Sequence, residues 1–277
     1  MPNSSLRISE GLSLSLDKLQ ILPGSRGRTL TDSISLPEFS PTKPLSFSDP
    51  FEETLKSLLD NSLSPLGRYH DDPLAAVLDW FDWGDGRLAP YQEEIIALLP
   101  IARRECIRGP HGLGKTALAA LLIIWFACTR EAAGEDWKIP TTASAWRQLT
   151  EFLWPEIHKW AHRLKPEFWR LWGREPFDTR TELLTLSLSL AHGSAFALTS
   201  DVPFMIEGAH ADQLLYVFDE AKSIRDATFD AAEGALSSGH AMALMVSTPG
   251  EPLGRFYDVH SRKPGYEAWT VRHVTKE

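Results

Sequence analysis

The chain has 277 residues, enough for one large domain or two small ones, and 43% of them are hydrophobic, enough to bury a sizeable core. A formal net charge of −9 excludes a generally basic nucleic-acid coat and leaves room for a local basic groove. The two cysteines, Cys106 and Cys128, sit in apolar stretches without metal-ligand spacing, and the Ser-rich N-terminus lacks the basic start and apolar run of a signal peptide. These features fit a reduced, cytoplasmic protein.

Residues 1–50 hold eleven serines and several prolines with little periodicity, so we expect a mobile, disordered or loosely ordered N-terminal arm there. Leu12-Ser13-Leu14-Ser15-Leu16 alternates and can pair as a strand. Residues 51–277 form the expected domain, with 51–88 as its helical lead-in. Phe51, Leu55, Leu58 and Leu59 fall at helical spacing between Asp49 and Pro65, with Ser48 or Asp49 as cap. A second short helix covers Pro73 to Trp80, and Trp80, Phe81 and Trp83 form an aromatic cluster that ends in a glycine turn and reads as core.

Leu88 to Ile96 opens a helix with Pro90 in its first turn. Gln92 can hydrogen-bond an adenine edge with its amide, and Tyr91 can stack on the base; the competing reading is a surface Gln on an amphipathic helix. The segment Gly109-Pro110-His111-Gly112-Leu113-Gly114-Lys115-Thr116 then fits G-x-x-x-x-G-K-[ST]. Cys106-Ile107-Arg108 before it is a strand candidate. Ala117 to Cys128 after it is an apolar helix, too short on its own to cross a bilayer. Strand, Gly-rich loop and helix are the three parts of a phosphate-binding loop. Glycines let backbone N–H groups converge on a polyphosphate, and the helix N-terminus adds positive potential. Lys115 is placed to reach the β- and γ-phosphates and the Thr116 hydroxyl to bind Mg²⁺.

Ile139 to Ser144 reads as a strand. Trp146, Leu149, Phe152, Leu153, Ile157 and Trp160 then recur at helical spacing. Five of the ten tryptophans lie between Trp146 and Trp172, interleaved with Arg147, Lys159, Arg163, Lys165 and Arg170. That mixture is a candidate nucleic-acid surface. Glu151, Glu156 and Glu167 nearly balance it, so an amphipathic helix with tryptophans inward reads equally well. Leu183 to Leu190 and Ser194 to Thr199 form an expected hairpin about Ala191-His192-Gly193.

Gln213 to Phe218 is a near-continuous apolar strand, of the kind buried on both faces of a parallel sheet, and it ends in Asp219-Glu220. Acids at that end lie where such sheets bind ligands: Asp219 for Mg²⁺, Glu220 to polarise a water attacking the γ-phosphate. Ala243 to Val246 repeats the form and ends in Ser247-Thr248-Pro249-Gly250, whose hydroxyls can bond a phosphate or the attacking water and pass on its loss.

Taken in order, these stretches resemble the ATPase domain of a bacteriophage terminase large subunit. The likeness rests on Pro90-Tyr91-Gln92, Arg108 to Thr116, Thr141-Thr142-Ala143 with Leu153-Trp154-Pro155-Glu156-Ile157, Glu207 to Ala211, Asp219-Glu220-Ala221 and Ser247-Thr248-Pro249. It implies an α/β, RecA-like P-loop NTPase, mainly a parallel sheet flanked by helices, that hydrolyses ATP with Mg²⁺ to drive double-stranded DNA into a procapsid. By position Gln92 senses adenine, Lys115 and Thr116 serve the phosphates and metal, Asp219 the metal and Glu220 catalysis, while Ser247 and Thr248 couple hydrolysis to motion. The implied partners are DNA, further copies of the chain on a portal and a small terminase subunit, in the cytoplasm of a bacterial host and with no membrane. Arg108, Arg147 and Arg225 are candidates for the arginine that stabilises the transferring phosphate, and the sequence does not choose among them. The family's nuclease domain finds no room before Glu277, so cleavage is not expected of this stretch. A fragment, a split subunit, a remnant that binds nucleotide without turnover, or another P-loop translocase or helicase-like ATPase are the alternatives.

Overall fold

A computed structural model describes residues 64–199, 206, 209–237 and 241–275. The expected arm at 1–50 with its strand at 12–16, nearly all of the expected helix at 49–65, and Glu207-Gly208 lie outside the described residues.

Among the described residues the sheet has eight strands in the order β3-β4-β5-β2-β6-β7-β1-β8. They are β1 (Arg104–Arg108), β2 (Trp137–Ala143), β3 (Leu183–Leu184), β4 (Ser187–Ser189), β5 (Gly193–Thr199), β6 (Gln213–Asp219), β7 (Ala241–Ser247) and β8 (Thr270–His273). From β5 to β8 every pairing is parallel, whereas β3-β4-β5 is antiparallel. The apolar runs of β6 and β7 are explained by burial on both faces. Leu215 and Val217 join the core beneath the helix that follows β1, while Leu214, Tyr216 and Phe218 join the opposite core with Phe229 and Phe256.

The α-helices whose bounds lie among the described residues are α1 (Pro73–Trp80), α2 (Pro90–Ala102), α3 (Lys115–Ala133), α4 (Trp146–Gln148), α5 (Trp154–Ala161), α6 (Pro166–Trp172), α7 (Asp226–Ser237) and α8 (Arg255–His260). α3 is the central element and is longer than its apolar stretch. Thr129 returns its hydroxyl to the Trp125 carbonyl at 2.8 Å, and the Arg130 guanidinium lies 4.7 and 4.5 Å over the Trp125 and Phe126 rings, so polar residues continue the buried helix. By length and composition α3 also suffices to cross a membrane, yet every residue from Leu118 to Arg130 is buried inside the domain. Gly134 ends it in a left-handed conformation, φ 72°.

Two expectations need correction. The helix expected from Trp146 to Trp160 is broken by a π-helical turn at Leu149–Leu153 between α4 and α5. The expected strand Leu183 to Leu190 is two strands, folded back at Thr185-Leu186 so that Leu183 faces Leu188. Alternation alone does not distinguish one half-buried strand from two joined by a tight turn. The second half of the expected hairpin stands as β5. Its Gly193 packs so tightly on Trp137 that a Cβ there would come within 2.2 Å of the Trp137 carbonyl oxygen.

Candidate nucleotide site

Parallel pairing brings the carboxyl ends of three strands flush. Arg108 of β1 pairs with Ser247 of β7, and Asp219 of β6 pairs with Val246, so β7 stands between the Gly-rich loop and the acidic pair. The Gly109 N–H donates to the Ser247 carbonyl at 3.1 Å, which ties the loop's first glycine to the end of β7. A cavity of ≈ 410 Å³ opens over these ends and is lined by the loop from His111 to Thr116 together with Asp219, Glu220 and Thr248. Its volume lies in the range of small-molecule sites.

Within the loop, Gly112 and Gly114 take left-handed backbones, φ 79° and 82°. Lys115 is mostly buried and donates to the carbonyls of Gly109 and Pro110 at 2.8 and 2.7 Å. Burial lowers its pKa, and the nearby Glu220 and Asp219 carboxylates oppose that shift. Helix α2 grips the loop from behind. The Tyr91 hydroxyl donates to the Leu113 carbonyl at 2.6 Å. The Gln92 amide donates to the Gly114 carbonyl at 3.1 Å and accepts from the Ala89 N–H at 2.9 Å. Both side chains proposed for the base are therefore bonded to the loop and its supporting helix. A second cavity of ≈ 620 Å³ shares Gly112, Leu113 and Gly114 with the first and adds Trp83, Arg87, Gln92 and Arg163. The loop thus divides a phosphate-sized face from a wider aromatic and cationic one. A further cavity, ≈ 780 Å³ around Trp169 and Phe177, contains none of the expected site residues.

Asp219 is 7% exposed and accepts from the Glu220 N–H at 3.0 Å. Burial pushes its carboxyl up to about 6, the Glu220 N–H opposes this, and the neighbouring Glu220 charge adds to it. A buried carboxylate of this kind, beside the Thr116 hydroxyl in one cavity, fits a divalent cation, whose charge would favour its ionised form. Among the described residues no cluster of three or more His, Cys, Asp and Glu forms a metal cage.

Glu220 adopts a left-handed backbone, φ 49° and ψ 45°, which costs a non-glycine residue about 1 kcal/mol. Its Oε1 accepts from the Thr248 hydroxyl at 2.9 Å and lies 2.8 Å from the Lys222 ammonium. Burial alone would raise the Glu220 carboxyl, but Lys222 and Thr248 outweigh it and hold the group below its usual value. The Ser247 hydroxyl accepts from the Lys222 N–H at 3.3 Å. Lys222 was not foreseen from the sequence, where a lysine after Asp-Glu-Ala carries no motif. Its pairing depends on the turn that Glu220 makes. Gln148, Phe152 and Glu156 at the rim were also missed as site residues; Phe152 lies in the π turn, which leaves no sequence signature, and the other two flank it on α4 and α5.

Of the candidate arginines, Arg108 points toward His273 at 3.5 Å, Arg147 pairs with Glu151 at 2.8 Å, and Arg225 caps the start of α7 through its carbonyl. The tryptophan-rich stretch turns inward for the most part. Trp154, Trp160 and Trp169 are buried, whereas Trp146 is 45% exposed. Arg147, Lys159 and Arg170 each pair with a glutamate one turn away, which makes this surface locally balanced rather than strongly basic.

No protein-family model matches the chain. In sequence it is 43% identical over 63 residues to a "Probable terminase, large subunit" of Enterobacteria phage P7; the match covers 22% of this chain and 13% of that relative's length. In fold it is similar to the large terminase ATPase domain of Thermus phage P74-26, with TM-score 0.50 and 18% identity over 68% of this chain and 81% of that one. It is also similar to the HK97 bacteriophage large terminase, with TM-score 0.51 and 18% identity over 74% of this chain and 43% of that one. Segment identity and fold agree on one likeness: the chain resembles the ATPase domain of a phage terminase large subunit.

Proposed function

We propose that the chain binds Mg²⁺-ATP at the loop and hydrolyses it, and that hydrolysis drives double-stranded DNA into a viral procapsid. The observation that carries this reading is the single cavity that gathers Lys115, Thr116, Asp219, Glu220 and Thr248 from distant parts of the sequence. Lys115 leaves the Gly109 and Pro110 carbonyls for the β- and γ-phosphates, and the loop N–H groups cradle the rest. Thr116 and Asp219 hold Mg²⁺, which supplies charge neutralisation at the transferring phosphate. Glu220 has one carboxylate oxygen bonded to Thr248 and Lys222; the other orients and polarises the attacking water. Ser247 and Thr248 join the acidic pair to the loop and are placed to sense the departing phosphate. Tyr91 and Gln92 hold the loop in shape beside the base-side cavity. Further copies of the chain on a portal, and a small terminase subunit, are the proposed partners, in the cytoplasm of a bacterial host.

The test is ATP hydrolysis with and without double-stranded DNA, with Lys115→Ala as blank. DNA-stimulated turnover that Lys115→Ala and Glu220→Gln both abolish is expected. Normal turnover in Glu220→Gln overturns the assigned chemistry. Nucleotide binding that needs Lys115, without hydrolysis under any condition, selects a nucleotide-binding remnant. Strand displacement in the absence of a procapsid selects a helicase-like translocase.

A further inference from the structure

Lys222 touches every residue of the turn that follows β7. Its N–H donates to the Ser247 hydroxyl at 3.3 Å. Its ammonium donates to the Thr248 hydroxyl at 2.5 Å and to the Pro249 carbonyl at 3.5 Å, and lies 2.8 Å from Glu220 Oε1. These acceptors account for the three donors of an ammonium group. Its aliphatic stem lies against Gly250 so closely that a Cβ on that glycine would come within 2.9 Å of Lys222 Cδ. Thr248 in turn donates to Glu220 Oε1 at 2.9 Å, closing a three-membered ring of contacts. The charged groups nearest Glu220 on the other elements are Asp219 at the end of β6 and Lys115 at the start of α3. Neither bonds the Glu220 side chain, so among the described residues Lys222 and Thr248 fix where that carboxylate points.

We propose that Lys222 is a positioning residue: it holds Glu220 on the attacking water and fastens it to the Ser247–Gly250 turn, so that carboxylate and turn move as one body. The proposal rests on the roles given above to Glu220 and Thr248. A tether of this kind acts on the chemical step and leaves the grip of Lys115 and the loop on nucleotide intact.

Two variants test it in the full chain. Lys222→Met removes the ammonium and keeps most of the stem. Gly250→Ala leaves every charge in place and pushes the stem aside. Both should lower kcat, Lys222→Met on the order of 10²-fold, with KM for ATP within about twofold of wild type, since ground-state binding is untouched. Backbone amide hydrogen exchange, read without nucleotide, should quicken at 220–224 and 247–251 in both variants and stay unchanged along α3, which also shows that the variants are folded. Wild-type kcat in Lys222→Met, a loss that appears only in KM, or unchanged exchange at both segments overturns the proposal. A wild-type chain that does not hydrolyse ATP overturns the proposed function instead, and the exchange measurement still judges the tether.

Discussion

Asp219→Asn should make the protein more stable and less able to act. Asp219 is buried, and its carboxyl moves from 3.8 when unfolded to about 6 in the fold. A raised acid favours the protonated form, so the folded state holds more protons than the unfolded one between those values, and stability falls as pH rises through that window. Fully ionised, the group costs about 3 kcal/mol. Asparagine removes that cost, keeps an acceptor for the Glu220 N–H, and adds an amide N–H without a clear partner at about 1 kcal/mol. The net expectation is a gain of about 2 kcal/mol at pH 8 that shrinks to about zero at pH 4.5. Urea unfolding of wild type and variant at the two pH values, without divalent cations, reads the difference directly. Adding Mg²⁺ with ATP should then stabilise the wild type more than the variant, which keeps the loop and Lys115 but loses one of the two groups proposed to hold the metal. A variant destabilised at pH 8, or a gain equal at both pH values, would refute the assignment of a strained, buried carboxylate.

Gly114→Ala should weaken nucleotide binding by roughly tenfold or more in a titration with fluorescent ATP, because φ 82° is strained for alanine and the new Cβ meets Gln92 Nε2 at 2.9 Å. Tyr91→Phe removes only the hydroxyl that holds the Leu113 carbonyl, so it should cost about 1 kcal/mol of thermal stability and weaken ATP binding severalfold, seen in the same titration. Gly193→Ala should cost about 3 kcal/mol by chemical unfolding, since the Cβ would overlap the Trp137 carbonyl and ring. His70 contacts Asp71 at 3.0 Å and Glu135 at 3.1 Å; burial lowers its pKa, but those carboxylates outweigh burial and raise it. Its contribution is therefore full below 6.5 and lost as pH rises through the raised value. His70→Gln should cost more at pH 6 than at pH 8.5 in thermal unfolding, and an equal cost at both pH values would refute the raised pKa.

What could be read from the sequence was what repeats along it. The loop from Gly109 to Thr116 and the apolar strands ending at Asp219 and Ser247 are local patterns, and burial on both faces of a parallel sheet explains why those strands lack alternation. Their placement in one cavity follows from strand order, which no local pattern carries. Lys222 escaped because its role depends on Glu220 just past β6, Ser247 at the end of β7 and Thr248 just beyond it, which no local pattern brings together. Gln92 and Tyr91 were noticed for their chemistry toward a base, and the bonds that they make in this structure run to the loop and to the start of α2. The inward turn of Trp154, Trp160 and Trp169 follows from their helical spacing, which the interleaved charges partly obscured.

The position of Ser247 has a consequence for genetics. Its carbonyl receives the loop's first glycine and its hydroxyl receives Lys222, so one residue touches both the part proposed to load nucleotide and the part proposed to fire. Alleles at this codon should give mixed phenotypes that do not sort into loading-defective and firing-defective classes. Second-site revertants should arise at residues around Gly109 or Lys222 rather than farther along β7, whose buried side chains pack in two separate cores.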